Sequence, residues 1–195
     1  MPKRLFAAIS ALIIITALSG CGKMHSSVAE EAEKIKEVYK NAAEIAIEAD
    51  IKTTDEKVRE YRLSYEIGSD GKDKMVVLSP EEIAGVSAVI SDGGAEIKYE
   101  DTILVTEMPG IPGFTPVDAL CALIDDISDQ IMEDKSFDAI DGQRCIAVSY
   151  EGEYLGSSTL KKAYFDEKTK KLIYGEWFID DRKIMECAVE SCVIK

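Results

Sequence analysis

Histidine is almost missing from this chain of 195 residues, which has one, together with 5 cysteines, 5 prolines and 1 tryptophan. A single His excludes a His-bearing triad inside a folded domain, and His25 falls in a polar stretch near the N-terminus, where a lone linker histidine is passive. Gly-x-Ser-x-Gly, P-loop, His-Glu-x-x-His and calcium-loop spacings are all absent. With 37 acidic residues, carboxylate pairs are so plentiful that none stands out as a glycosidase-like pair. The residues therefore argue for a protein that is not an enzyme and that needs no cofactor or metal. Basic residues are scarce too, 23 against those 37 acids, for a formal charge of −14. That balance opposes binding to a phosphate backbone, so nucleic acid is excluded as a partner, and it describes a solvated, soluble surface. What is present, 46% hydrophobic and 31% charged residues with 13 glycines, is the composition of a globular chain able to build a core.

The N-terminus runs Met1-Pro2-Lys3-Arg4, then an uncharged apolar stretch over residues 5–18, then Ser19-Gly20-Cys21. A positive start, an apolar run too short to span a bilayer comfortably and small residues before the cut are the parts of a secretory signal. Leu18-Ser19-Gly20-Cys21 closely resembles the lipobox of bacterial lipoproteins. That resemblance implies that residues 1–20 are removed and that Cys21 carries a diacylglycerol thioether and becomes the mature N-terminus. Without Lys3 and Arg4 the mature chain has 21 basic and 37 acidic residues, a charge of −16. Each buried methylene adds about 0.8 kcal/mol of membrane affinity, so two or more long chains anchor effectively permanently. The membrane then needs no transmembrane helix, and residues 21–27 form a short tether that holds a single domain, residues 28–195, on the extracytoplasmic face of the cell membrane. An ordinary buried cysteine after a cleaved signal, or an uncleaved anchor helix, is the alternative.

From Ser27 onward Val28, Ala32, Ile35, Tyr39, Ala42 and Ala46 fall on one helical stripe, and Ser27 with Glu30 has capping-box spacing. A helix over 27–48 is expected. Period-two segments follow: Tyr61, Leu63, Tyr65 and Ile67 alternate with polar residues, and 74–79, 85–91, 95–99 and 102–107 are further short strands. A second helix opens at Thr115-Pro116, with Thr115 as N-cap, and carries a stripe of Val117, Leu120, Ile124, Ile127 and Ile131. Asp125, Asp126 and Asp129 lie in its last turns, the wrong sign for the helix dipole. The C-terminal third reads as consecutive hairpins, with strands over 144–150, 159–166, 172–179 and 183–194 and a turn at Glu151-Gly152-Glu153.

A lipoprotein signal, an amphipathic helix, a run of strands, a mid-chain helix at Thr115-Pro116-Val117-Asp118-Ala119-Leu120 and closing hairpins that include Tyr164-Phe165-Asp166-Glu167-Lys168-Thr169 resemble the LolA/LolB lipoprotein-carrier superfamily. Lipid-anchored relatives in monoderm bacteria, germination-associated lipoproteins among them, are similar. The resemblance covers residues 28–195 and is one of element order, with no invariant motif. It implies an α+β fold: a curved antiparallel sheet of about 10–11 strands, a half-open barrel, with the N-terminal and mid-chain helices packed on its concave face. It also implies an apolar space that receives acyl chains, a task that likeness of fold does not itself transfer.

Four cysteines remain after lipidation, Cys121, Cys145, Cys187 and Cys192, and they are either buried thiols or disulfides in one of three pairings. On one regular strand over 183–194, Cys187 and Cys192 face opposite sides and lie about 16 Å apart, so no bond between them is expected. Candidate ligand contacts are Met108, Ile111 and Phe114, in a loop with two Pro-Gly steps, and Leu120 and Ile124 of the helix behind it. Large apolar side chains there either plug the core or line a mouth. Two functions follow. One is an anchored extracytoplasmic protein that binds an apolar ligand, an acyl chain or a lipoprotein, in a half-barrel cavity. The other is an interaction module for an envelope protein, with a filled core and no ligand.

Overall fold

The computed structural model describes residues 27–54, 57–68, 72–91, 94–107 and 110–195. Cys21, His25 and Met108 lie outside them, as do the leader and most of the tether. Helix α1, Val28–Lys40, starts as its cap requires: the Ser27 hydroxyl accepts from Glu30 N at 3.2 Å and the Glu30 carboxylate accepts from Ser27 N at 3.1 Å. Ala32, Ile35 and Tyr39 are buried along its inner stripe. The helix ends eight residues earlier than expected. Asn41 closes it by donating to the Glu37 carbonyl at 2.7 Å, and the chain becomes strand β1, Glu44–Thr53. Ala42 and Ala46 suit either period, but Ile45, Ile47, Ala49 and Ile51 alternate strictly and are all buried. Pairing on both sides within the sheet decides in favour of the strand there.

The remaining strands are β2 (Arg59–Gly68), β3 (Asp73–Ser79), β4 (Ser87–Ser91), β5 (Gly94–Tyr99), β6 (Thr102–Glu107), β7 (Asp134–Ile140), β8 (Gln143–Tyr154), β9 (Ser157–Asp166), β10 (Leu172–Ile179) and β11 (Arg182–Ile194). They form one antiparallel sheet in the order β6-β5-β4-β3-β2-β1-β11-β10-β9-β8-β7, which is open at β6 and β7 rather than closed into a barrel. Helix α2, Ala119–Asp129, packs beside α1, and the two cover the concave face. Here Trp177, Phe165, Tyr65, Ile127 and Leu123 are fully enclosed.

Three strand expectations need correction. Strand β7 escaped notice because its edge position leaves most of its residues exposed and its apolar alternation weak. Glu151-Gly152-Glu153 is not a turn: β8 runs on to Tyr154, and the reversal falls at Leu155 and Gly156, whose φ values of 51° and 88° suit a two-residue hairpin turn. Cys187 and Cys192 do not face opposite sides. A β-bulge at Glu190 adds a residue to β11, so Cys187 pairs with Ile51 and Cys192 with Ile47, and both thiols point into the concave core. They are four residues apart along β1, about 14 Å by strand rise, and all four described cysteines are free thiols.

Candidate functional site

The site is organised by the segment between β6 and α2. Its fulcrum is Asp118, a buried carboxylate that accepts from Gly113 N at 2.7 Å, Thr115 N at 3.1 Å and the Thr115 hydroxyl at 2.7 Å. This corrects the expected start of the helix. Thr115 spends its hydroxyl as a donor to Asp118 instead of accepting at an N-cap, the chain makes a turn through Pro116 and Val117, and α2 begins at Ala119. The Tyr65 hydroxyl, from the floor of the sheet, donates to the Pro116 carbonyl and ties the turn down. Gly113 is required at its position: its φ is +75°, and a Cβ there would stand 2.6 Å from the Ala122 Cβ and 2.8 Å from the Lys161 Nζ.

The acidic end of α2 also has its explanation. Lys36 of α1 donates to the carbonyls of Gln130 at 2.8 Å and Asp129 at 3.4 Å, which caps the helix with a cation from its neighbour. Lys40 lies 3.8 Å from Asp129, and Lys161 of β9 pairs with Asp126 at 2.7 Å. Ile131, expected on the inner stripe, is 78% exposed, because the helix has ended at Asp129.

Two cavities flank this segment. The first, about 250 Å3, lies over β2 to β5 and is apolar: Leu63, Met75, Val77, Ala88 and Ile97 form its floor, and Val117 its wall. It sits on a register row that crosses the sheet, in which Cys192, Ile47, Tyr65, Met75, Ala88, Ile97 and Leu104 are successive cross-strand partners on the concave face. The second, about 190 Å3, lies on the other side, between Ile111 and Phe114 of the segment, Asp126 near the end of α2, and Tyr150 and Lys161 of the β8–β9 hairpin. Lys161 there is 11% exposed, and its ammonium lies 5.4 Å from the centre of the Phe114 ring. Burial raises the carboxyl pKa of Asp126 although Lys161 opposes the shift. Burial, with Asp126 close by, holds the Tyr150 phenol well above its ordinary pKa, so it stays protonated.

Of the residues singled out in the sequence, Ile111 and Phe114 come together at the second cavity, half-buried. Leu120 and Ile124 are enclosed in the core between α2 and the sheet and line neither cavity. The floor of the apolar cleft was missed, because Met75, Val77, Ala88 and Ile97 read as ordinary inward strand residues. Lys161 carried a signal that went unused: it is a charge at an inward position, two and four residues before Ala163 and Phe165. Among the described residues no helix is long and apolar enough to cross a membrane.

No family model matches the chain, and no curated protein matches it. Solved structures do. An uncharacterized conserved protein from Thermus thermophilus superposes with a TM-score of 0.51 at 7% identity, over 87% of this chain and 88% of that one. LprF from Mycobacterium bovis gives 0.49 at 10% identity, over 85% and 92%. A LolA superfamily protein from Nitrosomonas europaea gives 0.44 at 9%, over 87% and 94%. At such identities the likeness is one of fold. An open eleven-stranded antiparallel sheet with two helices in its concavity is the architecture that the resemblance to the lipoprotein carriers implies.

Proposed function

We propose that the chain is a lipoprotein of the cell envelope, anchored through Cys21 on the extracytoplasmic face, that binds an acyl chain in the cleft between Val117 and β2 to β5. The observation that carries the reading is the cleft itself: an apolar opening on the concave face, beside a segment held by one carboxylate and one tyrosine hydroxyl rather than by sheet hydrogen bonds. Its 250 Å3 falls below the roughly 300–1,000 Å3 of sites that enclose a drug-sized molecule, so it takes a stretch of chain, not a whole lipid. A longer chain would run on over Leu104, which continues the apolar row and is 58% exposed. Titration with a fluorescent fatty acid tests this. Saturable binding is expected, and Ala88→Phe, which fills the floor, should weaken it by several-fold. Absence of saturable uptake of any acyl probe refutes the reading.

A second reading, an interaction module for an envelope protein, has its own observation. On the edge strand β6, Ile103, Leu104 and Val105 are 58%, 58% and 76% exposed, an uncharged row beside an open line of backbone donors and acceptors. Retrieval of one specific envelope protein, lost on Val105→Lys, together with no acyl uptake, would put this reading first.

A further inference from the structure

The second cavity holds two donors whose capacity is not used up, Lys161 Nζ and Tyr150 Oη. An ammonium has three N–H donors, and among the described residues the one hydrogen bond that Lys161 makes goes to Asp126. Among the described residues the buried Tyr150 hydroxyl has no hydrogen-bond partner, a state that ordinarily costs stability. The Trp177 indole N–H likewise has no partner among the described residues, but Trp177 lines neither cavity. Tyr150 and Lys161 are cross-strand partners on one face, beneath Phe114, with Gly152 leaving the floor next to them free of a side chain. Both supply what an oxygen acceptor needs, and the aromatic walls suit the apolar groups beside such an oxygen.

The sign of the ligand follows from the surrounding charge. Asp126 already neutralises Lys161, and Glu151 and Glu153 stand exposed at the rim. An anion would meet more negative than positive charge there, whereas an uncharged carbonyl oxygen gains both donors without that repulsion. We propose that this cavity is a second binding site, one for the carbonyl oxygen of a neutral ester or amide, with Tyr150 Oη and Lys161 Nζ as its donors. It is separate from the apolar cleft and stands whether or not that cleft holds an acyl chain.

Chemical-shift titration of the full chain with 1-butyrylglycerol, N-acetylglycine methylamide and sodium butyrate tests the site. Saturable shifts at Tyr150 and Lys161 with the ester, the amide or both are expected, and which of them binds tells a lipid source from a peptide source. Tyr150→Phe should weaken that binding about three- to tenfold, the worth of one hydrogen bond. Ala88→Phe should leave it unchanged, which separates failure here from failure of the acyl cleft. Tyr150→Phe should also leave the thermal midpoint unchanged or raised, because it deletes a hydroxyl that has no partner in the free protein. Saturation by butyrate alone, no saturation by either neutral probe, binding indifferent to Tyr150→Phe, or a lowered midpoint would each overturn the assignment.

Discussion

One row of side chains runs along the concave face from β11 to the edge strand β6, and its two halves live in different environments. From Cys192 through Ile47 and Tyr65 to Met75 and Ala88 the row is buried, with Tyr65 fixed to the Pro116 carbonyl above it. Beyond Ala88 the cover ends: Ile97 is half-buried and Leu104 exposed. The residue chemistry hardly changes along the row, so the difference comes from what lies on top. The two helices are short, 13 and 11 residues, and together reach only part of a sheet of eleven strands. The cleft lies at the boundary, on the last buried strand residues, and apolar residues past it form an open wing. A sheet wider than its cover makes a binding surface without any special residue.

The largest effect should separate the two halves by stability. Trp177→Ala, in the covered half, removes a fully enclosed side chain and should cost about 3–5 kcal/mol in denaturant unfolding. Leu104→Ala, on the wing, should stay within about 0.5 kcal/mol. Equal losses would mean that the wing is covered in solution. A smaller effect is expected at the boundary. Asp118→Ala leaves Gly113 N and Thr115 N without their acceptor and should cost about 1–3 kcal/mol. It should also speed hydrogen exchange over residues 110–118 more than in β9 or β10.

The smallest effect concerns pH on the covered side. The Thr169 hydroxyl, helped by the N–H groups of Thr169 and Lys168 and by Gln143, holds the Asp166 carboxyl below its ordinary pKa at the turn between β9 and β10. A lowered folded pKa contributes stability above the unfolded value of about 3.9 and loses it as pH falls through the folded one. Asp166→Asn should therefore be less stable than the parent at pH 7, with a gap that closes as the pH drops below 3.9. A gap independent of pH would assign the loss to turn geometry alone.

Much of this was legible in the residues. Caps and strict alternation located the start of α1 and every strand but β1 and β7, because Ser27-x-x-Glu30 and Leu63-x-Tyr65-x-Ile67 are local signals that the tertiary structure reinforces. Misreadings came where a local signal was ambiguous or a distant partner decided. Ala46 fits both periods, and only pairing with β2 and β11 makes its segment a strand, with Ala42 left in the connection before it. The bulge at Glu190 has no mark in the sequence, yet it turns Cys192 to the same face as Cys187. Ile111 and Phe114 line the second cavity, and the apolar cleft lies on the far side of their segment. What places the cleft is where the helices stop, and that is a property of packing rather than of any one segment.

The proposed acyl chain would occupy the boundary between the covered and uncovered halves. A fatty acid carrying a diazirine on its chain, photolysed with the protein and mapped by mass spectrometry of peptides, addresses it directly. Saturable adducts are expected within β3, β4 and β5, at Met75, Val77, Ala88 and Ile97, that unlabelled fatty acid suppresses and Ala88→Phe diminishes. Adducts confined to Ile103, Leu104 and Val105, or labelling that rises linearly with probe and resists competition, would contradict it.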